Sequence, residues 1–174
     1  MQKKLYRSKY EAYPFLCDQP EDLRCDFEIL TDEIACQIGL LHALVKNEAL
    51  QAELLTLCEL VYHLNPSLRT FVTVTQAELA WLEECTKRLQ KETKDSFFKF
   101  VLNQGCESAC HAHIIRSKCK SLVRMLYQHL QQGHAVPDIL LDFANLLSGY
   151  FFHLALKLNQ LAGIAEIEFI SRNY

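Results

Sequence analysis

Apolar side chains recur at spacings of three or four residues along most of the chain after residue 25. Phe27, Leu30, Ile34 and Ile38 show the pattern, which places them on one face of an α-helix. Five such segments predict helices over residues 26–47, 48–63, 75–94, 108–131 and 137–158. Because short connections join these segments, we expect an all-α fold, an antiparallel five-helix bundle in a single domain covering residues 1–174.

The ends of the predicted helices carry recognisable signals. Pro66 ends the second helix, because proline cannot continue a helix. Thr75 and Glu78 have the spacing of a capping box, in which both side chains bond to backbone amides at a helix start. Gly133 ends the fourth helix. By contrast, residues 1–25 hold aromatic residues and prolines without a period, and we expect them to form an extended arm.

Composition indicates a helical globular protein and excludes several classes of function. The chain has 174 residues, 50% of them hydrophobic and 22% charged. It has five glycines and none in the first 38 residues, which argues against a β fold with many turns and against an N-terminal glycine-rich phosphate loop. A net charge of -3 without a basic block predicts no nucleic-acid partner. No apolar run reaches the roughly 18 residues of a membrane helix, so no membrane association is expected.

Eight cysteines lie mostly within apolar helical stretches. Without a secretion signal before them, they are interpreted as reduced thiols of a cytoplasmic protein. Cys106, Cys110 and His113 have helical spacings of four and three residues, which would place three metal ligands on one face. In the alternative interpretation there is no metal site, the two cysteines fill the core, and the histidine forms a hydrogen bond across it.

A row of cations follows on the same predicted helix. Arg116, Lys120 and Arg124 are spaced by four residues, so they share one face and repel one another unless an anion meets them. The row is either a solvated face or a surface that binds an acidic side chain of another helix or the phosphates of a ligand. Asp32 and Asn145 lie among apolar neighbours. If buried, the carboxylate would need a cation such as Arg116, and the amide would act as a helix-register device or a ligand contact.

Several of these residues stand in motifs of a known family. Four stretches carry the resemblance: DEI at 32–34, FVLNQGC at 100–106, AHIIRSKCKSLVR at 112–124 and NLLSGYFF at 145–152. They are similar, in that order, to the patterns D-E-L-N, F-hydrophobic-L-P-G-G-S/T, L-H-x-A-R-x-x-x-R-R-A-E-R and N-R-L-S-D-Y-L-F. Asn159 further on is similar to the asparagine of a terminal A-R-x-x-N. Over residues 26–160 the chain resembles the ATP:cob(I)alamin adenosyltransferases of the PduO type.

The resemblance implies a five-helix bundle that assembles as a homotrimer, with active sites between neighbouring subunits. Members of this family transfer the 5′-deoxyadenosyl group of ATP to the cobalt of reduced cobalamin and release triphosphate, with magnesium bound to the nucleotide. Cobalamin is therefore the implied corrinoid ligand. A reductase or a corrinoid-dependent enzyme is an implied candidate partner.

The resemblance also implies roles for individual residues. Phe100 matches the phenylalanine that helps to displace the lower cobalt ligand, and a four-coordinate cobalt is easier to reduce. Asp32 and Arg116 match a paired aspartate and arginine of the catalytic site. The remaining matches are implied contacts to the cofactor or nucleotide: His113, Lys120, Arg124 and Asn145.

The chain departs from the family patterns mainly on the ATP side. The family opens with Y-T-x-x-G-D-x-G-x-T, whose glycines let the backbone wrap the triphosphate, whereas residues 5–14 read LYRSKYEAYP. Lys120 keeps the charge of a family arginine without its bidentate phosphate contact. Gly149 replaces the aspartate of L-S-D. These departures predict weakened binding of ATP and magnesium, with Arg7 or Lys9 as substitutes for the lost loop.

Three functions are consistent with the sequence. The chain is a divergent but active adenosyltransferase, a non-catalytic paralogue that binds a corrinoid or a partner subunit, or a structural bundle with a metal centre at Cys106, Cys110 and His113.

Overall fold

A computed structural model describes residues 5–96 and 100–173 of the chain. Five α-helices make up most of it: α1 (Leu23–Leu44), α2 (Glu48–Leu64), α3 (Gln76–Glu92), α4 (Glu107–Gln131) and α5 (Asp138–Leu161). A short 3₁₀ turn, Lys94–Ser96, follows α3. The prediction of an all-α five-helix fold is confirmed. Among the described residues, strand-like pairing is limited to one antiparallel bridge between Val101 and Glu168.

Both ends of α1 differ from the sequence prediction, because polar side chains cap the helices. Asp22 accepts a hydrogen bond from the backbone N of Arg24 at 3.1 Å, so α1 begins at Leu23 rather than at residue 26. At the far end, the Asn47 side chain accepts a hydrogen bond from the backbone N of Leu50 at 3.0 Å. Asn47, predicted as the last residue of the first helix, is therefore the cap of the second.

The other helix signals lie close to where the sequence predicts them. The capping box at the start of α3 is confirmed, with the Thr75 and Glu78 side chains both bonded to backbone amides. Gly133 adopts a φ of +89°, a left-handed conformation that ends α4 after its last turn. Pro137 is the cap residue of α5 rather than its first helical residue, and the helix begins at Asp138.

Apolar side chains from all five helices form one core cluster. α1 packs against α2 and α4, and α5 packs against α3 and α4. Each helix contributes a fully buried side chain to the cluster: Phe27, Leu54, Leu82, Ile115 and Phe143. Because tight connections join α1 to α2 and α4 to α5, each pair runs antiparallel.

α5 is the central apolar helix of the bundle. By length and composition alone it could cross a membrane, since its most apolar window has a mean hydropathy of 1.5. The sequence prediction that no such segment exists missed this property of α5. However, 56% of this window is buried inside the protein. Phe143, Leu147 and Leu154 are among the side chains that pack in the core. The apolar character of α5 is therefore explained by its place in the bundle.

A polar bridge connects α2, α3 and α5 on the inner side of the bundle. The hydroxyl of Tyr150 donates to Glu53 at 3.0 Å, and Glu53 also pairs with Arg88. Burial raises the pKa of Tyr150 well above its ordinary value, so the hydroxyl stays neutral and keeps donating. The bridge satisfies a buried phenol and links three helices.

The N-terminal arm, residues 5–22, folds as successive turns against the bundle rather than as an extended segment. Arg69, between α2 and α3, holds it in place. Its guanidinium lies 3.5 Å from the ring centre of Phe15 and pairs with Asp18 at 3.0 Å and with Glu28 of α1 at 2.6 Å. The hydroxyl of Tyr13 donates to the same Glu28 at 2.5 Å. The contacts that shape the arm thus come from a residue far along the chain.

Candidate functional site

A cleft of about 580 Å³ brings together three of the predicted site residues. Phe100 reaches it from the segment that precedes α4, and Arg116 and Lys120 reach it from one face of α4. We call it the Phe100 cleft, and its lining residues are Phe100, Val101, Asn103, Arg116, Lys120, Ser148, Gly149, Phe152 and Phe169. It lies between α4, α5 and the C-terminal tail that follows α5.

The cleft combines aromatic surface with positive charge. Phe100 is 45% exposed and Phe169 is 47% exposed, so both rings are accessible from solvent. The guanidinium carbon of Arg116 lies 5.6 Å from the centre of the Phe152 ring. A ligand with a large apolar face and anionic groups would find complementary surfaces here.

Arg116 is the most enclosed cation of the cleft. Its Nη2 donates to Oδ1 of Asn103 at 3.0 Å, and its Nε is buried without a hydrogen-bond partner among the described residues. Burial lowers the pKa of Arg116, yet an arginine remains protonated near neutral pH. The side chain therefore keeps a full charge and an unused N–H donor next to the aromatic rings.

The row of cations on α4 has no anionic partner among the residues that the structure describes. In the part that the structure describes, none of Arg116, Lys120 and Arg124 forms an ion pair with a carboxylate. The ion pair between α4 and α1 uses a different residue, Lys118, whose Nζ lies 2.5 Å from Oε1 of Glu33. Within residues 5–96 and 100–173, no acidic side chain of another helix therefore neutralises the row.

His113 lies beneath the cleft rather than in its lining. It is 4% exposed, and its ring centre lies 6.5 Å from that of Phe152. Neither ring nitrogen has a hydrogen-bond partner among residues 5–96 and 100–173. Burial, with a smaller contribution from the charge of Arg116, lowers the pKa of His113 to about 4. His113 is therefore neutral at pH 7 and packs as an aromatic side chain.

This low pKa makes the stability of the protein depend on pH. An unfolded histidine titrates near pH 6.5, so the folded state disfavours protonation, and the stability is lost as the pH falls from about 6.5 towards 4. We expect His113 alone to reduce the free energy of unfolding by about 2 kcal/mol between pH 7.5 and pH 5. Chemical denaturation at the two pH values measures the change.

A His113→Leu variant should show a smaller loss of stability over the same pH range, because it removes the titrating ring without leaving a bonded partner behind. The matched control is His63→Leu, since His63 is largely exposed in the last turn of α2. Equal pH dependence in the wild type and in His113→Leu would contradict the assignment.

Asp32 occupies a different recess from Arg116, so the two side chains do not pair within one chain. Asp32 is exposed on α1, where its carboxylate accepts a hydrogen bond from the hydroxyl of Tyr62 at 2.9 Å. This recess of about 390 Å³ is also lined by Tyr13 and Leu16 of the N-terminal arm. The residues next to Asp32 in sequence lie on other faces of α1, so their apolar character says nothing about whether Asp32 is buried.

Asn145 and Arg124 also lie outside the Phe100 cleft. Asn145 is not buried: it lies on the exposed face of α5, and its amide donates to the backbone O of Leu141 at 2.9 Å. Arg124 is exposed one turn beyond Lys120 on α4. Both side chains are therefore available to solvent or to another molecule.

The alternative metal centre does not form. Within the described residues, no three His, Cys, Asp or Glu side chains are grouped so that they could hold a metal ion. Cys106 precedes the first helical residue of α4, and its Sγ lies 3.3 Å from Oγ of Ser108. The Sγ of Cys110 contacts the backbone O of Gly105 at 3.9 Å. All eight cysteines lie in described segments and are free thiols.

Comparison with known proteins decides the family. A sequence profile of the cobalamin adenosyltransferases matches residues 21–158. The chain belongs to the cobalamin adenosyltransferase family. The match begins near the start of α1 and ends near the end of α5, so it includes all five helices.

Relatives within the cobalamin adenosyltransferase family agree with this assignment. A corrinoid adenosyltransferase from Bacillus subtilis (strain 168) is 27% identical over 158 residues, which cover 86% of this chain and 81% of the relative. A phenylalanine-to-alanine variant of a PduO-type ATP:corrinoid adenosyltransferase from Lactobacillus reuteri, complexed with cobalamin and ATP, has a TM-score of 0.75 at 23% identity, covering 86% of this chain and 87% of that one. An arginine-to-lysine variant from the same organism, complexed with ATP, has a TM-score of 0.72 at 25% identity, covering 86% and 88%.

The Phe100 cleft of this cobalamin adenosyltransferase family member contains residues that the sequence did not single out. Asn103 and Phe152 lie inside quoted motifs, so their position in FVLNQGC and NLLSGYFF is a signal that could have found them. Ser148 of α5 contacts α4 across the cleft, since its hydroxyl lies 3.4 Å from the backbone O of Arg116. Phe169 carries no sequence signal, because only the path of the tail brings it to the cleft.

Proposed function

We propose that this protein is a corrinoid adenosyltransferase that transfers the 5′-deoxyadenosyl group of ATP to cob(I)alamin. In the proposed reaction the electron pair of Co(I) attacks C5′ of ATP. A Co–C bond forms, the C5′–O bond breaks, and triphosphate leaves with the bonding electrons. The observation that carries the proposal is the Phe100 cleft, which joins accessible aromatic rings to cations that have no carboxylate partner in the described segments.

The roles of the cleft residues follow from their chemistry. The Phe100 ring would exclude water and a lower axial ligand from the cobalt, because an apolar side chain offers no donor atom to the metal. Arg116 and Lys120 would bind the phosphate oxygens and stabilise the charge that develops on the leaving triphosphate. Arg124 would extend the anionic path along α4. We also propose Asn145 as a nucleotide contact and His113 as packing support for the corrinoid side.

We propose that the protein is a homotrimer whose site is completed by a neighbouring subunit. Asp32 and Arg116 lie apart within one chain, and the Asp32 carboxylate is exposed with one hydrogen bond, from the hydroxyl of Tyr62. Near Asp32, two large apolar side chains are exposed: Ile29 of α1 is 48% exposed and Tyr62 of α2 is 52% exposed. A subunit packed against this face would cover them and bring Asp32 to a cation of its neighbour. Light scattering should give a mass of three times 20.1 kDa.

ATP remains the proposed adenosyl donor although the glycine-rich loop is lost. In the Lactobacillus reuteri relative, at least one arginine-to-lysine replacement is compatible with bound ATP. A lysine such as Lys120 retains the charge that a phosphate needs. We propose that magnesium binds with the nucleotide, that the protein works in the cytoplasm as a single domain, and that a reductase or a corrinoid-dependent enzyme is its partner.

A second candidate is a non-catalytic paralogue that binds a corrinoid, and the N-terminal arm favours it. The Arg7 guanidinium is paired with Glu11 at 2.7 Å and donates to the backbone O of Pro14, and Lys9 lies over the Tyr10 ring. These contacts occupy the two cations that the sequence offers as substitutes for a phosphate loop. Their use within the arm would weaken ATP binding without affecting the Phe100 cleft.

Adenosyl transfer itself distinguishes the two candidates. Purified protein is incubated with chemically reduced cobalamin, millimolar ATP and magnesium, and adenosylcobalamin is measured by its absorbance. We expect turnover. No turnover at millimolar ATP would contradict an active enzyme.

Ligand-induced stabilisation is the matching binding test. A ligand present at 100 times its Kd stabilises the folded state by about 2.7 kcal/mol, which raises the Tm of a chain this size by about 5–10 °C. An active enzyme should be stabilised by cobalamin and by ATP with magnesium. Stabilisation by cobalamin alone would favour the non-catalytic paralogue.

A further inference from the structure

Asn159, in the last turn of α5, connects two separate segments around the Phe100 cleft. Its side chain is fully buried. Oδ1 accepts a hydrogen bond from the backbone N of Cys106 at 3.0 Å, where α4 starts. Nδ2 donates to the backbone O of Gln104 at 3.0 Å and to Oε1 of Glu166 at 2.9 Å. One amide group therefore holds the loop after Phe100, the start of α4 and the C-terminal tail.

The two segments that Asn159 holds are also paired with each other. The backbone N of Leu102 donates to Ile167 O, and the backbone N of Phe169 donates to Phe100 O, both at 2.9 Å. Val101 and Glu168 form the bridge between these two bonds. The pairing presents Phe100 and Phe169 to the same cleft. Fixing one segment through Asn159 therefore fixes both rings.

The close approach of Asn159 depends on a glycine in the loop. Gly105 has a φ of +130°, a conformation that side chains with a Cβ rarely adopt. A Cβ at this position would lie 1.9 Å from Oδ1 of Asn159. Glycine thus allows the amide to reach the backbone on both sides of residue 105.

We infer that Asn159 is a positioning residue for adenosyl transfer: it holds the loop that carries Phe100 and the C-terminal tail as one unit over the cleft. The inference rests on the proposed function for its catalytic consequence. Asn159 does not line the cleft, so it acts through Phe100 and Phe169 rather than by touching the ligand. A buried amide that forms three hydrogen bonds is costly to replace, because each lost bond leaves a buried group unpaired.

Hydrogen exchange tests the positioning independently of activity. In Asn159→Ala we expect amide exchange to increase about 10-fold or more in peptides covering residues 100–106 and 164–169, with peptides of α2 and α3 unchanged. The matched control is Gln160→Ala, which removes an exposed neighbouring amide that bonds to the backbone O of Glu92. Increased exchange in only one of the two segments, or in neither, would overturn the inference.

Kinetics on the full-length protein provide the functional measurement. We expect Asn159→Ala to lower kcat about 10-fold or more while the KM for ATP changes less than about threefold, because the phosphate-binding cations of α4 are untouched. A general folding defect would instead lower the active fraction of the protein and increase amide exchange throughout the bundle. An inactive wild-type protein would count against the proposed function, and the exchange result would still decide the positioning role.

A second substitution that restores the hydrogen bond distinguishes loss of the tail contact from general misfolding. Asn159→Asp keeps the acceptor for Cys106 but loses both donors and places a second carboxylate beside Glu166, so the tail should detach. Adding Glu166→Gln supplies an amide donor to that carboxylate. We expect the double variant to regain most of the exchange protection of residues 164–169. If residues 164–169 exchange as fast in the double variant as in Asn159→Asp alone, the role assigned to the contact between Asn159 and Glu166 is overturned.

Discussion

The Arg116→Ala variant is expected to lose about 10²–10³-fold in the rate of adenosyl transfer, the range found when one preorganised donor is removed from developing negative charge. Arg116 is the enclosed cation of the Phe100 cleft, next to Phe152 and without a carboxylate partner in the described part of the chain. The loss should appear in kcat, measured with ATP, magnesium and reduced cobalamin. Folding should be little affected, because the side chain takes part in no ion pair there.

The control for this variant lies two residues further along the same helix. Lys118→Ala removes the same charge from α4, but Lys118 faces Glu33 of α1 rather than the cleft. It should retain activity within about twofold, because an exposed ion pair contributes little. Similar losses in the two variants would mean that overall charge, not the position of Arg116, determines the rate.

The Arg69→Ala variant is expected to lose about 3 kcal/mol of stability, which lowers the Tm of a chain this size by about 6–12 °C. The side chain of Glu28 is only 5% exposed, and Arg69 is the cation that compensates it. Removing Arg69 leaves a buried carboxylate with the Tyr13 hydroxyl and without a counter-charge. It also removes the contacts to Phe15 and Asp18 that hold the arm. Thermal unfolding measures the loss, and limited proteolysis should show new cleavage in residues 5–22.

Arg24→Ala is the matched control for Arg69→Ala. Arg24 pairs with Asp22 at 2.5 Å at the start of α1, but its side chain is 41% exposed. Solvent screens such a pair, so we expect a loss below about 1 kcal/mol. If the two arginine variants are destabilised equally, burial of Glu28 is not the reason that Arg69 matters.

The sequence predicted the helices well because helical periodicity is a local property. The start of α3 at its capping box and the long apolar α5 needed no knowledge of distant residues. The boundary between α1 and α2 was missed because Asn47 could end one helix or cap the next. Only the hydrogen bond to Leu50 identifies it as a cap.

The candidate site was predicted in part. Phe100, Arg116 and Lys120 do line one cleft, and the spacing of the two cations on α4 was sufficient to place them on the same face. The sequence left the burial of Asp32 and Asn145 open, since apolar neighbours in sequence do not tell which side of a helix faces the core, and both side chains are exposed. The position of Phe169 and the hydrogen bond from Asn159 to Glu166 depend on the path of the C-terminal tail, whose sequence has no periodic pattern.

By itself the sequence determined the helical class, the family resemblance and the row of cations on α4, because each depends on residues close together along the chain. The tertiary structure alone decided which charges meet. Lys118 pairs with Glu33, whereas Arg116 meets the amide of Asn103 and no carboxylate of the described residues. Arg69 pairs with Glu28, 41 residues earlier in the chain, and so holds the N-terminal arm. These contacts depend on how the helices are placed and rotated relative to one another, and that arrangement follows from packing of the whole core rather than from any local pattern.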